Sequence, residues 1–224
     1  MSFLGNYPPV PTTAHQKRER TRADLLVAIQ ELLLDGGIVT LSVPRVIARA
    51  GVSQGTFYNY FERLDGALDA VGDLLLAEHV RVLEIVRSGS ADVVEVFTRS
   101  TKQTLMVGHH MPEVGRLLFD SGLPVDRLMA GLRAHMHRDV LIGLSSGDFT
   151  ANDSQATASV LGGAIAGSWL DIHRGRLSVD SIPSVVEYLL KVLGVESRNA
   201  GHLARASQQF HPLRPLPLSP LMEA

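Results

Sequence analysis

The chain has 224 residues and a mass of 24.3 kDa, with 45% hydrophobic residues, 20% charged residues and no cysteine. That length holds one large domain, or a small domain joined to a larger one, with material for a sizeable core. The missing cysteines exclude a disulfide framework, a thiol nucleophile, a zinc finger and a thiolate-held iron–sulfur cluster, while 21 Lys+Arg against 23 Asp+Glu, net −2, argue at first against a nucleic-acid partner.

Residues 1–16 read as a flexible arm, with the extended run Tyr7-Pro8-Pro9-Val10-Pro11 inside it. The segment Met1 to Ala14 lacks the charged-then-apolar order of a signal peptide. No stretch reaches about 18 consecutive apolar residues, so no membrane span or membrane partner is expected. The expectation is a soluble cytoplasmic protein.

From there almost every segment has helical period. Leu25, Ile29, Leu32 and Leu33 predict a first amphipathic helix that ends near Gly36-Gly37. A second long stripe runs through Leu64, Leu68, Val71, Leu75, Val82 and Val86. Further helices are predicted at 91–108, 112–121, 124–145, 153–173 and 181–194. Pro112, Pro124 and Pro183 stand where first turns would begin. Pro212, Pro215, Pro217 and Pro220 alternate with leucines, so residues 197–224 read as a Pro-rich tail, irregular or docked rather than a domain of its own. Strand-like alternation is nowhere sustained, and no internal repeat is evident. The fold class is all-α.

One segment differs from its surroundings: Ser42 to Phe61, SVPRVIARAGVSQGTFYNYF. Ser42 is placed to cap a short helix that tolerates Pro44 in its first turn. Gly51 supplies a left-handed turn. Ser53 is placed to cap a second short helix, where Phe57 and Phe61 share a buried face. The opposite face carries Gln54, Gly55, Thr56, Tyr58 and Asn59. Such short or planar hydrogen-bonding groups suit a helix that enters a major groove.

Ala50-Gly51-Val52-Ser53, then Gly55-Thr56-Phe57-Tyr58 and Tyr60-Phe61, resembles the signature of the TetR family of bacterial transcriptional regulators. Arg22, Leu25, Leu26, Ala28, Leu32, Leu33, Gly37 and Val43 match that family's approach to the motif. The resemblance covers about residues 20–68. It implies a helix-turn-helix DNA-binding domain at 17–63 and a helical ligand-binding and dimerisation domain at 64–196. Gln54, Gly55, Thr56, Tyr58, Asn59 and Tyr60, with Ser53 as cap, then fall where the family contacts bases and phosphates. Ser42, Pro44 and Arg45 lie on the helix that meets the DNA backbone. Ile47 stands where the family usually has Ala. The family's basic residue at the start of its fourth helix falls on Leu64, and Arg63 beside it is the alternative phosphate contact. Lys17, Arg18, Arg20 and Arg22 would grip phosphates or reach the minor groove.

The resemblance implies a homodimer and a small-molecule effector pocket in the helical body. In 153–173, Ser159, Gly163 and Gly167 form a smooth stripe beside the bulky stripe Leu161, Ile165, Trp169 and Ile172. In 181–194, Val185, Val186, Leu189, Leu190, Val192 and Leu193 make a face wider than one contact requires. Ser159, Gly163, Gly167, Leu170, Val186, Leu190 and Leu193 are therefore the expected dimer interface. Phe97, Met106, Phe119, Met129, Met136 and Trp169, with His109, His110 and His173, are the candidate wall of an adaptable apolar pocket for a hydrophobic effector. No cofactor is implied.

A metal-responsive regulator is an alternative raised by nine histidines, including His109-His110 and His135-x-His137. Neither pair has the four-residue spacing of a helical metal site. An acid–base enzyme is the alternative from another class. Asp171 and His173 diverge on one helix, and neither a nucleophile elbow nor a phosphate loop is present. The leading reading is the one the resemblance implies, a DNA-binding regulator that acts as a repressor on a near-palindromic operator, and splitting the charge removes the objection to it. Residues 1–63 hold 7 Lys+Arg and 5 Asp+Glu, whereas residues 64–224 hold 14 and 18. The positive charge sits with the motif.

Overall fold

The structure, a computed structural model, describes residues 13–151 and 153–220. Among these residues it is helical and contains no strand. The Tyr7–Pro11 run lies outside them, as do residues 221–224.

The first helix, α1 (Ala14–Gly36), begins earlier than the predicted arm allows. Its start is set by a reciprocal cap. Thr13 Oγ1 accepts from Gln16 N at 3.2 Å, and Gln16 Oε1 accepts from Thr13 N at 2.8 Å. Residues 14–16 thus belong to the helix. It stops where Gly37 takes φ 68° and donates its N–H to Leu33 O. The buried face of Leu25, Leu26, Ile29 and Leu33 packs on α2 (Val43–Ala50) and α4 (Leu64–Arg87).

The short α3 (Gln54–Tyr58) follows α2 through Gly51, which sits at φ 65° and ψ 32° and donates to Ile47 O. A side chain at Gly51 would meet nothing within 4 Å. Its need for glycine is therefore one of backbone, about 1–2 kcal/mol for an L-residue in this region. Val46 and Phe57 are fully buried, and the Phe57 and Phe61 rings lie 5.8 Å apart. Burying each such side chain contributes about 2 kcal/mol, which holds the three-helix unit together.

The rest of the chain forms the helical body. α4 leads into it, followed by α5 (Val93–His110), the single turn α6 (Pro112–Gly115) and a π-helical turn over Arg116–Asp120. After a break come α7 (Asp126–Ser146), α8 (Ser154–His173) and α9 (Ile182–Val192). The predicted 112–121 helix is thus two short turns, and α7 starts two residues after Pro124. Asp92 and Asp153 cap α5 and α8 by accepting from Glu95 N and Ala156 N. α5 is central and touches α4, α7, α8 and α9. A direct link between the small unit and the body is the bond from Ile38 N to Ser121 O, 2.6 Å.

The predicted tail needs one correction, at its start. Residues Ser197–Arg205 form α10, opened by Glu196, whose carboxylate accepts from Arg198 N and Asn199 N. The proline-rich stretch beyond it is docked along the body. Lys102 Nζ donates to Leu203 O and Ala206 O, and Gln103 exchanges two hydrogen bonds with the His211 backbone. Glu78 accepts from Arg214 N at 2.7 Å and Arg214 Nε at 2.9 Å. Leu213 and Leu218 are buried in the core.

Candidate DNA-binding face and ligand cavity

Ser53 fixes the start of α3: its Oγ accepts from Thr56 N at 3.1 Å and lies 2.8 Å from Thr56 Oγ1. With Phe57 turned inward, Gln54, Gly55, Tyr58 and Asn59 are left exposed, while Thr56 and Tyr60 are half-buried. The Tyr58 ring stands edge-on to Phe57 at 5.5 Å, so the exposed phenol rests on a rigid base. Arg18 lies over the Tyr60 ring at 5.9 Å and Arg22 over Phe61 at 5.7 Å. These contacts place the basic end of α1 beside the turn that follows α3. Arg20 is exposed.

On α2, Pro44 and Arg45 are exposed, and Arg45 donates to Thr40 O at 2.8 Å. Ser42 holds the cap position, but its hydroxyl makes no capping bond, contrary to expectation. Leu64 packs against the core and Arg63 points outward with its guanidinium 3.1 Å from Asp65. Arg49, one of the seven basic residues of 1–63, is turned to α1, where it pairs with Glu31 and Asp35 at 3.0 and 2.9 Å.

A cavity of about 170 Å³ lies between α4, α5, α7 and α8. Phe97, Met129 and Trp169 line it, and so does Met136. Met106, Phe119, His109, His110 and His173 do not. On α5 the cavity-facing row is Phe97, Thr101 and Thr104. The next place in that row is Gly108, which the Trp169 indole covers. Met106 therefore packs elsewhere in the core, and both His109 and His110 are exposed, His110 stacking on Phe210 at 4.5 Å. Phe119 meets Trp169 at 5.7 Å from outside the cavity, and His173 Nε2 lies 2.9 Å from Asp120.

The cavity also has a polar seam absent from the predicted wall: His79 and Arg87 of α4, His135 and Asp139 of α7. Arg87 and Asp139 form an ion pair, and Arg87 Nε is buried without a partner among the described residues. Burial pushes the Asp139 carboxyl up, with Arg87 opposing. Burial also pushes the His79 imidazole down to about 4, helped by His135 and opposed by Glu78. Glu78 itself is raised by burial, but hydrogen bonds from Arg81 and Arg214 outweigh this and hold it at about 2. His79, Leu83 and Arg87 stand four residues apart, so the sequence places them on one face of α4. Among the described residues no group of three or more His, Asp or Glu is placed to hold a metal ion.

On the outer face of α8 and α9, Gly163, Gly167, Ser159 and Val160 are exposed, as are Tyr188 and Val192. Leu170 is half-buried. The expected interface residues Val186, Leu190 and Leu193 are fully buried within the single chain. Their apolar stripe is covered by the chain's own neighbours, α5 and α10 among those that pack on α9.

Two family models match this chain. Residues 25–63 match the bacterial regulatory proteins of the tetR family, and residues 92–206 match the tetracyclin repressor-like C-terminal domain. The chain belongs to the TetR family. It is thus a helix-turn-helix transcriptional regulator, and no helix of its described residues is long and apolar enough to cross a membrane. This TetR-family chain is 26% identical over 105 residues to the uncharacterized HTH-type transcriptional regulator YvdT of Bacillus subtilis. That match covers 47% of the chain and 54% of YvdT, so the chain spans about half the length of this curated relative. Among solved structures, RolR in complex with resorcinol is similar at 26% identity and a TM-score of 0.67, covering 92% of this chain and 99% of RolR. FadR from Bacillus subtilis with stearoyl-CoA has the same fold at 15% identity and a TM-score of 0.61, covering 75% and 97%.

Proposed function

We propose that this TetR-family regulator is a homodimeric repressor, released from a near-palindromic operator by a compact, mostly apolar effector. The carrying observation is the course of α4. Its first residue packs beside the DNA-reading unit, and its C-terminal half supplies His79, Leu83 and Arg87 to the cavity. One rigid element therefore touches both sites.

In this reading Gln54, Thr56, Tyr58 and Asn59 meet base edges, with Gly55 allowing close backbone approach. Arg20, Arg22, Arg45, Arg63, Ser42, Pro44 and Tyr60 lie along the phosphates. The dimer forms through the exposed α8–α9 face around Gly163, Gly167 and Tyr188, which places two reading helices about 34–36 Å apart. Cavity size sets the effector class. Roughly 150 Å³ of apolar space accommodates a benzene ring, so about 170 Å³ suits a single-ring compound. RolR bound to resorcinol agrees with this class; a stearoyl chain would need a far larger space. To reverse an operator occupancy of 99:1, the effector must favour the released state by about 5.5 kcal/mol.

The test is a gel shift with the chain's own promoter region at rising salt, then with added single-ring compounds. Specific, salt-sensitive binding that a ring compound reverses is expected. Binding unaffected by Tyr58→Ala and Thr56→Ala alike would remove α3 from the DNA face.

A further inference from the structure

Hydrogen bonds fixed by the protein decide which chemistry the polar seam accepts. Thr104 Oγ1 lies 2.9 Å from Ser100 O, a carbonyl that can only accept, so the threonine hydroxyl donates there. With its one proton used, Thr104 Oγ1 must accept from His79 Nε2, 3.0 Å away. The ring proton of His79 is thereby placed on Nε2. His79 Nδ1, without a partner among the described residues, is left as an acceptor closed off from the cavity space. On α7, His135 Nδ1 lies 2.9 Å from Gly131 O and donates to it, so that in the neutral ring Nε2 is an acceptor. The Asp139 carboxylate adds a third acceptor, since Arg87 engages only its Oδ2.

Taking the cavity as the effector site, the geometry points to a single-ring aromatic effector that carries at least one hydroxyl, with His135 as the residue that selects for that O–H. A bare hydrocarbon would fill the space and leave the His135 nitrogen unpaired. A phenolic hydroxyl satisfies it while its ring rests on Ile165 and Phe97.

Trp169 is the chain's single tryptophan and lines the cavity, so its fluorescence reports occupancy without a label. The full-length protein is titrated with phenol, resorcinol, anisole, toluene and benzoate. Phenol and resorcinol are expected to bind about tenfold or more tightly than anisole, which keeps the ring and loses the donor. In His135→Leu the phenol-to-anisole ratio should collapse while toluene binding is retained. The wild-type comparison stands even if that variant folds poorly. Equal binding of phenol and anisole, or tighter binding of benzoate, would overturn the hydroxyl requirement and leave the cavity as the effector site. If none of the five compounds changes the fluorescence, the reading of the cavity as an effector site fails, and the hydroxyl requirement goes with it.

Discussion

The side-chain amide of Gln30 grips the backbone of Leu218, 188 positions further along: Nε2 donates to Leu218 O, and Oε1 accepts from Leu218 N, both at 2.8 Å. Gln30 is wholly buried in α1, and Leu218 is buried beside it. The first helix of the DNA-reading unit is thus completed by the proline-rich stretch. That stretch also holds Glu78 on α4 and Gln103 on α5, each next in sequence to a residue of the cavity wall.

Gln30→Ala should therefore cost far more than an ordinary polar substitution. It strands a buried N–H and a buried C=O, each worth roughly 1–3 kcal/mol when unsatisfied. A loss of about 2–5 kcal/mol in urea unfolding is expected; a loss below about 1 kcal/mol would mean that water replaces the amide.

Ser53→Ala and Gln54→Ala separate folding from reading. Ser53 caps α3 and its loss removes about 1 kcal/mol of stability. Gln54 is exposed, and its side chain bonds to none of the described residues. Both variants should weaken operator binding in a gel shift, but only Ser53→Ala should lower the melting temperature.

Gly163→Arg or Tyr188→Glu, on the exposed faces of α8 and α9, should give a monomer in sedimentation with unchanged helical circular dichroism. Operator affinity should fall with it. A dimer that survives both changes would put the interface elsewhere.

Stability should decline in mild acid. His79 has a native pKa of about 4 against an ordinary 6.5, so the unfolded chain takes up the proton first as pH falls. Its contribution is complete above pH 6.5 and is lost between there and pH 4, about 2 kcal/mol between pH 7 and pH 5. Below pH 4.5, Glu78 adds a loss of the same sign down to about pH 2, while the raised carboxyl of Asp139 works the other way. Urea melts at pH 7 and pH 5 measure the first effect. His79→Leu should flatten it.

The helical class and the reading unit were legible because their signals are local. Apolar stripes of period 3.6 mark helices wherever they pack, and Ser53, Gly51 and Phe57 act within a few residues of themselves. The helix α10 was missed because the four prolines dominate the tail, while α10 buries only small residues, Ala200, Gly201 and Ala204, which make a faint stripe. Val186, Leu190 and Leu193 show the limit of periodicity: a stripe reveals that a face is covered, but not whether the chain itself or another copy covers it. The polar seam depends on α4 meeting α7, so the Arg87–Asp139 pair, 52 positions apart, has no local trace.

The bond between Gln30 and Leu218 also orders events during synthesis. At roughly 5–20 residues per second the ribosome needs about 10–40 s to travel from one to the other. Through that interval α1 exists with a buried amide that has no backbone to hold. The growing chain can close neither α1 nor the Glu78 and Gln103 side of the helical body until the proline-rich stretch has been made.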